Sequence, residues 1–388
     1  MRLKIKKVFQ NIDKPLFFVM CVIIIFGLLN IVTASSRETV VRYDQSLYHY
    51  FFQHSLMLML SLVGSIIIIN VPTKYYKLLA PILYIISLGL LIYLSVTGTS
   101  ERGSVNWLSI AGFTFQPSEL AKPVMIVCLA LIFEIFNKKL KKPNTNHYDM
   151  IGFILLIGLI IPVIVFLQGD LGTSLIILGV FGVMFIASPI LKVDKFKTTI
   201  FLLIVGLIGI LGVYSIKGYI LTEAQLKRFD FFNPCSKYEK SGYQICNGFI
   251  AINDGGLLGL GIGKSKQKYS YIPDPHTDSV FAIMAEELGF LLSTLVFVAY
   301  IFILGRVLRT ASRASTIRGR YMCLGIAVYM FLHILLNLGG LFGILPLTGV
   351  PLPFLSYGGT FTICLICSLA IVQRVHIETY SQKSVTEK

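Results

Sequence analysis

Ten apolar segments, each long enough or nearly so to cross ~30 Å of hydrocarbon, divide this chain from end to end. They lie near residues 16–34, 52–70, 77–96, 119–136, 150–167, 172–188, 199–217, 279–304, 321–343 and 360–374, the last being the shortest. Only 14% of the 388 residues are charged, against about 25% in soluble domains. The expected fold class is therefore an all-α polytopic membrane protein of about ten transmembrane helices, forming a single integral membrane domain over 1–388. A basic start (Arg2, Lys4, Lys6, Lys7) precedes the first span. The apolar core of that span exceeds the about 7–15 residues of a signal peptide, which predicts an uncleaved helix.

The net charge of +15 is informative through its distribution. Lys74 and Lys77, Lys138 to Lys142, Lys192 to Lys197, Arg306 to Arg320 and the tail's Arg374, Lys383 and Lys388 fall on the same side as the basic N-terminus. The positive-inside rule then places both termini in the cytoplasm. One long extracytoplasmic loop, 218–277, faces outward together with 97–118, the "QGDLGTS" turn and the "LPLTGVPLPFLSYGGT" connection. Chemistry or binding is expected on that outer face.

Charges placed inside such spans are costly and point into the bundle. Glu119 and Lys122 stand i,i+3 on one helix face; an ion pair that only pins the helix end is the plainer reading. Asp170 sits between two glycines, as a helix cap or as a partner for Lys122. Trp107, the only tryptophan, serves as an interfacial anchor or lines the site, and Arg102 on the same loop is solvated or holds a phosphate. Asp278 lies where an apolar helix begins, with His276 and Thr277 beside it. There it is a capping residue favoured by the helix dipole or a reactive carboxylate. Glu286 and Glu287 follow two turns deeper without an assignable role.

The long loop is too glycine-rich for a regular domain, and short interfacial helices are expected within it, one from "GYQICNGFIAI". Its "GGLLGLGIG" lacks the strand–helix setting of a dinucleotide fingerprint. Loop lysines favour an anionic ligand or simply a solvated surface. Cys235 and Cys246 share this loop and either pair as a disulfide or remain free thiols. The other five cysteines, the Cys364–Cys367 CxxC included, read as packing residues. Prolines and glycines crowd 343–359, so this segment is expected to re-enter and wall an outward cavity with Ser356 and Tyr357 as its polar groups.

Five ordered stretches, "NWLSIAGFTFQPSELAKP", "QGDLGTS", "GYQICNGFIAINDGGLLGLGIGKSKQKY", "PDPHTDSVFAIMAEELGF" and "LPLTGVPLPFLSYGGT", resemble the SEDS family of FtsW, RodA and SpoVE proteins over essentially the whole chain. "NPC…GYQICN" and "KSKQKY" look more like FtsW proteins of Gram-positive bacteria than RodA. Asp274, where the family often has glutamate, and Cys246-Asn247, where it often has "QS", depart from the pattern. The resemblance implies a peptidoglycan glycosyltransferase that polymerises lipid II on the outer face of the bacterial cytoplasmic membrane, in septal or lateral wall synthesis. It also implies a class B penicillin-binding protein and other divisome or elongasome membrane proteins as partners. Asp278 matches the essential aspartate of the family's "HTD" motif, and Glu119, Lys122, Asp170 and Trp107 match cavity positions.

On this reading Asp278 acts as the base, and Lys122, Arg102 or loop lysines stabilise the departing pyrophosphate. A divalent cation (Mg or Mn) with Asp278 as a ligand is the one cofactor considered. A flippase for a polyprenyl-linked sugar and a non-catalytic scaffold are the alternative functions; no nucleotide, haem or nucleic-acid site is indicated.

Overall fold

The computed structural model describes residues 11–37, 39–40, 44, 46–98, 104–110, 113–140, 148–219, 226, 231, 233–238, 242–269, 272–273 and 275–386. Its long helices are α1 (Lys14–Arg37), α2 (His49–Asn70), α3 (Tyr76–Thr97), α4 (Pro117–Leu140), α5 (Tyr148–Leu167), α6 (Leu171–Ala187) and α7 (Lys192–Lys217). After a shorter α8 (Tyr243–Gly255) come α9 (Val280–Arg313), α10 (Ile317–Leu341) and α11 (Gly359–Thr386). Among the described residues, eight helices are long and apolar enough to cross a membrane. The two other expected spans are set apart by their sequences. Helix α6 has 17 residues, and α4 carries Glu119, Lys122, Glu134, Lys138 and Lys139.

Helix α4 is the buried centre of the bundle, with consecutive residues from Ala121 to Phe133 inside. Glu119 and Lys122 pair with each other there, Glu134 pairs with Arg318, and Lys138 and Lys139 are exposed at its end. Its first residue is Pro117, whose missing N–H costs nothing at a helix start. By contrast, nothing in the most apolar window of α7 is buried by the protein. Helix α11 is not the shortest span but has 28 residues. Its polar continuation is paired, since Gln373 bonds Asp13 and Arg374 bonds Glu378 and the Ile69 carbonyl.

The one sheet among the described residues is a two-stranded antiparallel ribbon, β1 (Leu108–Ile110) with β2 (Phe113–Phe115). It precedes α4, and Gln116 N–H at its end donates to Thr360 Oγ1 at 3.1 Å. The long loop contributes α8, whose stretch was expected to be helical. A disulfide joins Cys235 to Cys246 and so ties the 3-10 turn Pro234–Lys237 to α8.

Helix α9 is broken near its N-terminal end. Gly289 has φ +75° and ψ −177°, a region open in practice only to glycine. The break frees backbone groups that cannot stay unpaired at this depth, and the glycine loop after α8 satisfies them. Leu260 and Gly261 amides donate to the Glu286 and Glu287 carbonyls at 3.0 and 2.9 Å, while Phe290 and Leu291 amides donate to the Gly256 and Leu257 carbonyls. A Cβ on Gly259 would lie 2.3 Å from the Glu287 oxygen. The "GGLLGLGIG" repeat is thus a backbone splint.

Candidate active site

Asp278 belongs to the turn 275–279 that leads into α9, and the helix N-cap is Ser279, one residue later. Thr277 Oγ1 donates to Asp278 Oδ1 at 3.0 Å. From α10, Asn337 Nδ2 donates both to the Asp278 carbonyl and to the Val350 carbonyl at 2.8 Å each. This amide clamps the aspartate turn to the irregular segment 342–358. Within that segment Gly349 adopts φ +69°, and a Cβ there would stand 3.6 Å from Asp278 Oδ2. His276 is buried, stacks near Tyr50 (centroids 4.3 Å apart) and through its carbonyl accepts from the Tyr357 amide. The Tyr357 hydroxyl donates to Gln53 Oε1 at 2.6 Å, and burial raises its pKa.

Within the irregular segment the stretch 352–356 is buried in protein, where unpaired backbone is tolerated. Ser356 is 1% exposed, and its hydroxyl accepts from the Leu352 amide at 2.8 Å; Tyr300 donates to the Pro353 carbonyl. The Ser356 side chain therefore closes its own turn.

Asp170 caps α6, accepting from Thr173 N–H at 3.0 Å, and also accepts from Gln116 Nε2 at 3.1 Å and Asn106 Nδ2 at 3.3 Å. It does not pair with Lys122, as the sequence had suggested. Lys122 is 1% exposed and bonds Glu119 Oε1 at 2.7 Å, so a carboxylate one turn away already satisfies it. Next to Asp170, a Cβ on Gly172 would sit 2.9 Å from Thr348. The start of α6 therefore abuts the same segment that passes Asp278. Trp107 is 38% exposed at the entry to β1. Arg102 and Asp274 lie outside the described residues.

His333 is a residue that the sequence reading missed. Lys122 Nζ stands 3.1 Å from His333 Nε2, and His333 Nδ1 stands 3.2 Å from the Pro351 carbonyl. An ammonium can only donate, so Nε2 accepts and the proton sits on Nδ1, which donates to Pro351. Phe361 stacks on the imidazole at 4.4 Å. One polar chain thus runs from Glu119 through Lys122 and His333 to the irregular segment, where Gly349 meets Asp278. The signal was present as "HILLN": two polar residues spaced i,i+4 in an otherwise apolar helix point inward together. The expected anion-stabilising role of Lys122 meets a buried, ion-paired side chain, whereas Lys264 and Lys266 on the splint loop are exposed.

Glu286 and Glu287 also find places. Glu286 accepts from Ser265 Oγ and from the Lys266 amide at 2.7 Å. Glu287 pairs with Lys268 Nζ. Both fasten the splint loop to α9.

The match to known proteins extends over nearly the whole chain. Residues 13–381 match the FTSW_RODA_SPOVE family, described as "Cell cycle protein". The chain is 33% identical to the probable peptidoglycan glycosyltransferase FtsW of Bacillus subtilis, covering 96% of this chain and 92% of that one. It is 30% identical to the stage V sporulation protein E of the same organism (95% and 98%), and 32% identical to the peptidoglycan glycosyltransferase MrdB of Escherichia coli (82% and 83%). In fold it resembles a chain of a peptidoglycan synthase complex that coordinates polymerization and crosslinking, with TM-score 0.73, 24% identity and coverage of 95% and 98%. Thermus thermophilus RodA gives TM-score 0.66 at 23% identity, with the same coverage. With the family matched over residues 13–381 and relatives at least 30% identical over most of both chains, the chain belongs to the FtsW/RodA/SpoVE family.

Proposed function

We propose that the chain is a peptidoglycan glycosyltransferase that polymerises lipid II on the outer face of the cytoplasmic membrane, with Asp278 as general base. The observation that carries this reading is the accessibility of one carboxylate. Glu119, Asp170, Glu286 and Glu287 are all buried, at 2%, 9%, 0% and 2% exposure, each with protein partners. Asp278 alone among these acids is partly exposed, within reach of a sugar headgroup delivered from water while its lipid tail stays in the bilayer.

In the reaction, the 4-hydroxyl of the acceptor sugar attacks the anomeric carbon of the donor. The C–O bond to the pyrophosphate breaks, and Asp278 takes the hydroxyl proton. Exposed loop lysines such as Lys264 and Lys266 would receive the leaving pyrophosphate rather than Lys122, which is buried and ion-paired. Lys122, Glu119 and His333 would act by holding the irregular segment that flanks Asp278. Among the described residues no three His, Cys, Asp or Glu side chains gather to hold a metal. Asp278 would be the one protein ligand for a hard cation of the Mg²⁺ type, which would neutralise charge on the leaving group. The outward orientation rests on the basic residues that collect at the opposite ends of the spans. A class B penicillin-binding protein is the proposed partner, by analogy with the synthase complex above.

The test is polymerisation of lipid II by the purified protein with its crosslinking partner, wild type against Asp278→Asn. Polymer from wild type only, with both complexes intact, is the expected result. Equal polymer from both would remove Asp278 as the base.

A further inference from the structure

Far from Asp278 the bundle contains a cavity of about 280 Å³. Its lining includes Asp13, Arg306, Arg309, Arg313, His376 and Tyr380. The three arginines recur at i, i+3 and i+7 of α9, so one helix face presents them all. They follow Asp278 by 28 to 35 residues, on the order of 40 Å along the helix at ~1.5 Å per residue. This is a second, separate place in the molecule, at the end where the basic residues gather.

The cavity's charges are not balanced. Asp13 is 3% exposed and fully engaged. It accepts from Arg306 Nε and Nη2 at 2.8–3.0 Å and from the Leu16 amide, and its own amide donates to Gln373 Oε1. Arg306 is thereby neutralised and its guanidinium fixed. Arg309 and Arg313 bond no carboxylate among the described residues, which leaves two uncompensated guanidiniums beside His376. The neighbouring hydroxyls are already committed: Thr310 donates to the Arg306 carbonyl, and Thr379 accepts from the Ser315 amide while donating to the Val375 carbonyl. What the cavity offers a ligand is therefore positive charge in the planar fork geometry that matches phosphate oxygens.

We propose that this cavity binds a phosphate group. Its volume lies just below the about 300–1,000 Å³ of pockets that enclose drug-sized ligands. It therefore suits a phosphate with a few attached atoms better than a nucleotide or a sugar chain. Basic pockets between membrane helices characteristically take lipid headgroups, and a soluble phosphate would satisfy the same guanidiniums. The experiment distinguishes the two sources.

The full chain, purified in detergent, is titrated with phosphatidylglycerol, with phosphatidylcholine as the neutral control, and separately with inorganic pyrophosphate, following thermal stabilisation. Arg309→Gln/Arg313→Gln is compared with Lys192→Gln/Arg320→Gln, which removes the same charge from exposed positions elsewhere. Both cavity arginines are exposed and bond no carboxylate among the described residues, so folding should be kept. We expect the cavity variant alone to need on the order of 10- to 30-fold more ligand. A shift with phosphatidylglycerol over phosphatidylcholine identifies a lipid headgroup as the source. A shift with pyrophosphate alone identifies a soluble phosphate. Equal titrations in wild type and the cavity variant, or no stabilisation by either phosphate, would overturn the site.

Discussion

Lys268 Nζ lies 2.9 Å from Glu287 Oε1, with both side chains almost wholly excluded from solvent. The ammonium also donates to the Gly263 carbonyl, so the pair closes the splint loop onto the broken stretch of α9. Removing one partner from a buried ion pair leaves the other charge stranded, which costs about 3–5 kcal/mol. Lys268→Met and Glu287→Gln should each destabilise the protein strongly, while the double variant should lose less than the sum of the two. Thermal unfolding of all four proteins in one detergent measures the coupling. Additive losses would show that the pair does not fasten the loop.

How much of this was legible in the sequence depends on the separation between partners. The Glu119–Lys122 pair is one turn long, and its spacing announced it. Glu286 and Glu287 find their partners some twenty residues earlier in the chain, at Ser265, Lys266 and Lys268, a separation that no periodicity encodes. His333 and Asn337 were visible as polar residues in an apolar helix, but their acceptors lie in a segment without secondary structure. The span positions followed from hydropathy. The true length of α11 did not, because its last turns are held by Asp13, Thr73 and the Ile69 carbonyl rather than by apolar burial.

Gly349 and Gly343 offer a matched pair of probes. Their φ values are +69° and +65°, so alanine at either costs about 1–2 kcal/mol in backbone strain. Only at Gly349 does the new methyl face the Asp278 carboxylate; at Gly343 it meets Phe249 at 3.2 Å. Gly349→Ala should therefore reduce polymerisation well beyond Gly343→Ala at comparable thermal stability. Equal activities would argue that the flank of Asp278 is not sensitive to its neighbour.

The chain from Glu119 to Pro351 predicts a second asymmetry. Lys122→Met leaves Glu119 charged and unpaired in the bundle, at a cost of about 3–5 kcal/mol. His333→Phe keeps an aromatic ring against Phe361 but leaves the Pro351 carbonyl without its donor, about 1–3 kcal/mol. Both should lower stability, Lys122→Met more so, and both should slow polymerisation by loosening the segment beside Asp278. A His333→Phe protein of wild-type stability would contradict the assigned tautomer and its bond to Pro351.

The disulfide gives the last prediction and also tests the outward placement of the loop. Cys235 and Cys246 are 11 residues apart, and their bond ties a short turn to α8, whose amides and glycines lead directly into the splint against α9. Constraining a loop of this size stabilises by roughly 2–4 kcal/mol. Cys235→Ser/Cys246→Ser should therefore unfold at lower temperature, whereas Cys367→Ser should behave as wild type. Such bonds persist where the environment is oxidising. In intact cells, a membrane-impermeant reductant followed by a thiol label should accordingly mark Cys235 and Cys246. With a label that likewise cannot cross the membrane, no labelling in intact cells but labelling after lysis would place the loop in the cytoplasm and turn the proposed active face inward.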